Sequence, residues 1–464
     1  MTTKQSFLII IFASLALIFN GCDAFKNHST TQNAFSKREI QSGGAATVKE
    51  SDNTAFSRPA PNLSSSSLKK HNAGDAHFEA AFVTAPAAIN SGLGPLFDNV
   101  GCTSCHVNDG RGKPFLSNGK ISSVLVRLSK NGDQPGFPIP VPGFGLQLQN
   151  HAIFGKKPEG TFKVTYEYIT KVLADDTKIE LRKPTYHIEN PYTPLPYNTH
   201  LSVRTAPPVF GIGLLAAIPK DQILAHADPD DIDHDGISGK PNFVLNNSTG
   251  QKQLGRFGWK ANQPTVIQQV ASAYNQDMGV TSPYYPNENV YQNPDARDSL
   301  NDDPEISKKT LEATTFYTKT LGVPAKRNLD DPEVVRGKKI FNKVGCNSCH
   351  VARYTTRGDA DVPALSNQVI FPYTDLLVHN MGEGLADHRA DYEASGNEWR
   401  TPPLWGIGLT EIVNGHQSFL HDGRARSIME AILWHGGEAK QSKDYVKHLS
   451  KSDREALVAF VKSI

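Results

Sequence analysis

Apolar positions along this chain follow two rhythms. TFKVTYEY from Thr161 and TKIELRKPTYHI from Thr177 alternate apolar and polar residues at period two around Ala174-Asp175-Asp176, which predicts a β-hairpin. Elsewhere the spacing is helical. Helices are expected before each of two cysteine pairs, at Thr265 to Tyr274, at Ser307 to Leu321, at Ser427 to His435 and at Ser452 to Ile464. Ser452 opens the last of these with Glu455 three residues on, a capping box. The expected fold is therefore mainly α, with a β-hairpin insertion in its first half.

The pattern also repeats. GPLFDNVGCTSCH from Gly94 is matched by GKKIFNKVGCNSCH from Gly337, with Phe97 and Phe341 each five residues before the first cysteine. RTAPPVFGIGLLAAI from Arg204 is matched by RTPPLWGIGLTEI from Arg400, and LAHAD with His226 by FLHDG with His421. Three matches in one order argue for a duplicated unit. At 464 residues the chain is too long for one ordinary core. The division expected is 43–328 for the first domain, with its β insertion at about 116–200, and 329–464 for the second.

The N-terminus differs from the rest. Lys4 precedes a thirteen-residue apolar run, Phe7 to Phe19 and interrupted only by Ser14, too short to span a bilayer and suited to a signal-peptide core over residues 1–22. Gly21-Cys22 has the form of a lipoprotein processing site, with Cys22 as the lipidated residue, and residues 23–42 read as a flexible tether. The body is accordingly expected in the periplasm, lipid-anchored to a bacterial membrane. Composition adds one exclusion: 38% hydrophobic, 20% charged and a net charge of +1 give no electrostatic case for nucleic acid.

Four of the five cysteines form the two pairs, Cys102 with Cys105 and Cys346 with Cys349, followed at once by His106 and His350. A zinc site does not require a histidine behind each pair. A thioredoxin-like redox pair lacks its βαβ context, and structural disulfides leave the histidines without a role. Covalent haem accounts for every residue. Two thiols three positions apart add to the two vinyl groups of one haem, and the next residue reaches the iron as an axial imidazole. Two c-type haems are expected, one in each of two duplicated cytochrome c domains.

Residues from about 43 to 464 resemble the bacterial dihaem oxidoreductases, often labelled thiol oxidoreductases and related to the dihaem cytochrome c peroxidases. The resemblance is carried by GLGPLF, DGRG, GRFGWKA, DMG, VHNMGEGLAD, RTPPLWGIGL and FLHDGRARSIMEAILWHGG. Leu420 departs from the aromatic residue the peroxidases carry near that place. The resemblance implies a peroxidase-like oxidoreductase that passes electrons from one haem to a substrate-reducing haem. Its partners would be a small redox donor protein or a quinol-linked donor, and a small oxidant such as peroxide. The alternative is a dihaem electron-transfer cytochrome with no catalytic site of its own.

The same resemblance places His435 as the second axial ligand of haem 2, with Met381, beside His379, competing for that iron. For haem 1 the parallel of Met278-Gly279 with His435-Gly436 makes Met278 the candidate. Gln147, Gln149, His151, Glu383 and Glu438 are polar residues near the motifs, and none is assigned as the acid–base group. Trp259 and Trp405 are candidates for electron relay, with packing as the default. Asp231, Asp233 and Asp235, followed by Gly236, have the spacing of the first half of a Ca²⁺ loop, although Asn242 stands where an EF-hand carries Glu.

Overall fold

The computed structural model describes residues 37–115 and 123–464. The signal segment, Cys22 and most of the tether lie outside the described residues. Helix starts are set by side chains that accept otherwise unpaired N–H groups. Ser64 Oγ accepts from Ser67 N ahead of Ser65–Phe78, and Ser307 Oγ from Thr310 N ahead of Lys308–Thr320. Thr265 caps Val266–Met278, Asp331 caps Pro332–Lys343 and Ser427 caps Ile428–Trp434. The last helix is Lys451–Ser463, and its cap is Ser450, which accepts from Asp453 N at 3.2 Å, rather than Ser452.

Two helix pairs form the scaffold of the two halves. Ser65–Phe78 crosses Lys308–Thr320, and Pro332–Lys343 crosses Lys451–Ser463. Each crossing turns on one glycine. A Cβ at Gly74 would run into the Ala313 carbonyl oxygen and the Tyr317 side chain, and one at Gly337 into the Ala456 carbonyl oxygen and the Phe460 side chain. Only a residue without a side chain allows the backbones so close.

The fold is not mainly α. It is 30% helical and 19% strand, a mixed α/β architecture. The strands pair into seven two-stranded sheets among the described residues. Most are ladders of two to six residues, and three of them join segments far apart in sequence, such as Val124–Ser129 with His200–Thr205. Period-two alternation cannot announce pieces that short. The long hairpin stands where expected, Thr161–Val172 against Lys178–Glu189. It reaches across to the other half of the chain. Arg182 N donates to Glu430 Oε1 at 2.7 Å, Tyr186 Oη to Asp422 Oδ2 at 2.6 Å, and Arg454 Nη2 to Asp175 Oδ2 at 2.8 Å.

The segment before Cys102 is also not a helix. Leu96–Phe97 is a short strand paired with His151–Ala152. The helix of the first half lies further back, and Phe78, not Phe97, is the counterpart of Phe341: each is four residues beyond its crossing glycine. The halves are stitched together through their RTAPP and RTPP segments. Thr205 N donates to the His421 carbonyl at 2.7 Å, and Arg400 N to the Trp259 carbonyl at 2.8 Å. The largest apolar core runs from Phe56 through both helix pairs to Ile464. No helix among the described residues is long and apolar enough to cross a membrane.

Candidate functional site

Each cysteine pair forms one tight turn that ends on its histidine. His106 N donates to the Cys102 carbonyl at 2.9 Å and His350 N to the Cys346 carbonyl at 3.0 Å. All four thiols are free, and both pairs line one continuous cavity of about 420 Å³. Burial pushes Cys102 and Cys346 up to about 12 and raises Cys105 and Cys349 as well. Thiols held protonated in this way are poor redox nucleophiles and poor zinc ligands. Among the described residues, the groups close enough to share an ion are Cys349–Asp375–His379 and Asp228–Asp231–Asp233, so the two pairs do not meet in a four-cysteine site.

The histidines are half-buried and neutral, since desolvation pushes both His106 and His350 down to about 4. His350 Nδ1 lies 3.0 Å from the Tyr373 carbonyl, which can only accept, so Nδ1 carries the proton and Nε2 keeps its lone pair. His106 Nδ1 is buried with no partner of hydrogen-bond geometry among the described residues. Phe78 stands 6.3 Å from the His106 ring and Phe341 6.2 Å from the His350 ring. Free paired thiols, a neutral imidazole behind each pair and an apolar cavity wall fit a haem at each motif.

In the second half, His435 follows helix Ile428–Trp434 and lines the cavity. Its Nδ1 donates to the Ala431 carbonyl at 2.7 Å, which leaves Nε2 available. His350 and His435 line the same cavity. Met381 lines the same part of the cavity. In the first half Met278 is 2% exposed and also lines the cavity.

Counting from the helix caps gives a different match for His435. Phe257 bridges Gln263 and Phe419 bridges Ala425, so the two turns ahead of Thr265 and Ser427 are built alike. In that register His435, eight residues past Ser427, corresponds to Ala273, while Met278 lies five residues further along. His421 corresponds to Trp259, so the pairing of His226 with His421 is not structural. Ala273 and Gln269 both line the cavity.

Of the other polar residues, Gln147 is buried, and its Nε2 donates to Asp98 Oδ2 at 2.5 Å and to Asp277 Oδ1 at 2.9 Å. Gln149 N donates to Glu159 Oε2 at 2.8 Å. His151 stacks on Phe97 at 5.6 Å, and Glu383 pairs with His388 at 3.0 Å on the surface. Glu438 is bound to His379 Nδ1 at 2.6 Å, and His379 Nε2 to Asp375 at 2.7 Å. Trp259 and Trp405 are buried and line the cavity, Trp259 Nε1 donating to the Thr205 carbonyl at 2.8 Å. The acidic loop gathers Asp228, Asp231 and Asp233, whereas Asp235 Oδ1 accepts from Ile237 N at 2.8 Å.

Two features join residues that the repeats named, His421 and Arg204, to partners that the sequence pattern did not connect with them. Trp399 and His421 stack at 3.7 Å with 9° between their planes on the cavity wall, and burial pushes His421 down to about 3. Beside them lies a buried charge cluster of Arg204, Lys260 and Arg389 with Asp387 and Asp391. Burial works to raise Asp391, but Arg389 and Arg204 hold it well below the carboxylate range. The match of RTAPP to RTPP flagged Arg204. Lys260 and Arg389 are brought to it by tertiary packing alone.

Two cysteine–histidine motifs opening on one cavity describe a dihaem protein. The chain belongs to the family described as "Di-haem oxidoreductase, putative peroxidase", which it matches over residues 37–464. No curated protein matches the chain.

Proposed function

We infer that the chain is a periplasmic, lipid-anchored c-type oxidoreductase that carries electrons from a small donor protein or a quinol-linked donor to a small oxidant such as peroxide. Cys102 with Cys105, and Cys346 with Cys349, would hold the two haems by thioether bonds, with His106 and His350 as axial ligands. Bound haem supplies one-electron chemistry at its iron. Reduction of one peroxide takes up two electrons and two protons and releases two waters, which suits a chain with two one-electron centres.

One observation carries the enzymatic reading: Ala273 occupies the helix position that His435 holds in the other half. His435 presents Nε2 to the cavity and closes the second-half side, with Met381 as the competing side chain. The methyl of Ala273 leaves room on the first-half side, where Gln269, Arg127 and Asp277 line the wall and present donors and acceptors to a small polar oxidant. The electron-transfer reading is favoured by Met278, which also lines the cavity and would close it as a ligand.

Resting spectra and peroxide turnover with a reduced donor decide between the two. A high-spin component that binds cyanide, together with turnover, supports the enzyme. Two low-spin centres inert to both ligands would leave the electron carrier.

A further inference from the structure

Behind His350 the structure builds a charged group that the first half lacks. The Tyr373 carbonyl holds His350 Nδ1 at 3.0 Å, and the ring of the same tyrosine is buried against Phe341 at 6.0 Å and Phe460 at 5.9 Å. Tyr373 Oη donates to Glu39 Oε2 at 3.2 Å and accepts from Lys326 Nζ at 2.6 Å. Glu39 also binds Lys326 at 3.1 Å and Lys338 at 2.7 Å. Lys326 Nζ lies over the Tyr373 ring at 4.3 Å and the Phe460 ring at 5.1 Å. Glu39, Lys326, Lys338 and Tyr373 are all buried. One carboxylate thus faces two ammonium groups in a low-dielectric setting next to a candidate axial ligand.

The first half is built with the opposite sign. Asp75 follows Gly74 as Lys338 follows Gly337, and Tyr317 Oη donates to the buried Asp109 at 2.9 Å. The chain has therefore placed a carboxylate shared by two ammonium groups on the side of one histidine and carboxyl groups on the side of the other. A buried charge acts on a nearby redox centre because little water screens it.

We propose that Glu39 is a positioning residue that sets the charge behind His350 and thereby tunes the reduction potential of haem 2 selectively. The proposal rests on the reading that His350 ligates that haem. Reduction adds one negative charge to the centre. Glu39, as an anion, opposes it, while Lys326 and Lys338 favour it. The residue that makes this adjustment comes from the N-terminal segment, which enters beside the second half ahead of the Thr47–Val48 strand.

The test is a redox titration of the haem-loaded chain. The haem 2 step is recognised as the one kept in Cys102→Ala/Cys105→Ala and missing from Cys346→Ala/Cys349→Ala. Glu39→Gln keeps the hydrogen-bonding shape and removes the charge. It should raise that step by about tenfold in the reduction equilibrium, which is about 59 mV for one electron, and leave the other step in place. Lys338→Met should lower the same step, and the double variant should return it close to the parent. If Glu39→Gln fails to fold, Lys338→Met and the charge-balanced double variant carry the test. Unmoved steps in chains that retain haem at both pairs, or equal movement of both steps, would overturn the proposal while leaving the two-haem reading intact. Absence of covalent haem at Cys346 and Cys349 would instead remove the reading on which it rests.

Discussion

The ring of Phe78 stands 6.3 Å from the imidazole of His106, tilted 48° to it. Phe341 repeats the relation to His350 at 6.2 Å and 55°. Both phenylalanines sit on helices that depend on a glycine crossing. Gly337→Ala should therefore force the Pro332–Lys343 and Lys451–Ser463 helices apart, because the atom in the way is the backbone oxygen of Ala456. Overpacking of this kind costs about 1–3 kcal/mol. Thermal unfolding should show the loss, with reduced haem loading at Cys346 and Cys349. A variant as stable and as fully loaded as the parent would mean that the crossing is looser than described.

Ala273→His tests the open side of the cavity. An imidazole placed where His435 stands in the other half should convert the first-half centre to a low-spin form. It should also abolish cyanide binding and peroxide turnover. Met278→Ala separates the competing reading. It should leave the resting spectrum unchanged if Met278 only packs, and create a high-spin, cyanide-binding centre if Met278 is the ligand.

His435→Met addresses the second half. Methionine as an axial ligand raises a haem's potential relative to a second histidine. The step belonging to haem 2 should move up, with a change in its low-spin spectrum. Should His435→Met alter neither, while Met381→Ala alters both, the ligand is Met381.

Glu159 gives a pH dependence with a defined sign. It is buried, accepts from Gln149 N at 2.8 Å and Asn293 Nδ2 at 3.3 Å, and burial raises it to about 8. The folded chain therefore keeps a proton that the unfolded chain releases near pH 4.5. This contribution is fully present below pH 4.5 and is lost as pH rises through about 8. Melting across that window should show the parent losing on the order of a few kcal/mol relative to Glu159→Gln. Parallel curves for the two chains would refute it.

Local chemistry was what the sequence made legible. The CxxCH turns, the hairpin about Asp175 and the helix starts at Thr265, Ser307 and Ser427 each lie within a few consecutive residues. What it hid depends on distance along the chain. GPLF before Cys102 looked like the helix before Cys346, yet Leu96–Phe97 is a strand, and the true counterpart, Phe78, lies a long loop upstream. The two-residue ladders, which add to the strands of the hairpin and of Val124–Ser129 with His200–Thr205, carry no periodicity at all. Ala273 drew no attention as a small apolar residue, and it acquires meaning only when the turns at Phe257 and Phe419 are overlaid.

The central claim is that each cysteine pair binds one haem covalently. Intact mass of the denatured chain, purified from a host that exports it and attaches haem, tests this most directly. The mass should exceed that of the polypeptide by two haems, and Cys105→Ala should lower the excess to one. A chain that sheds all haem on denaturation, or one that keeps two covalent haems after Cys105→Ala, would contradict it.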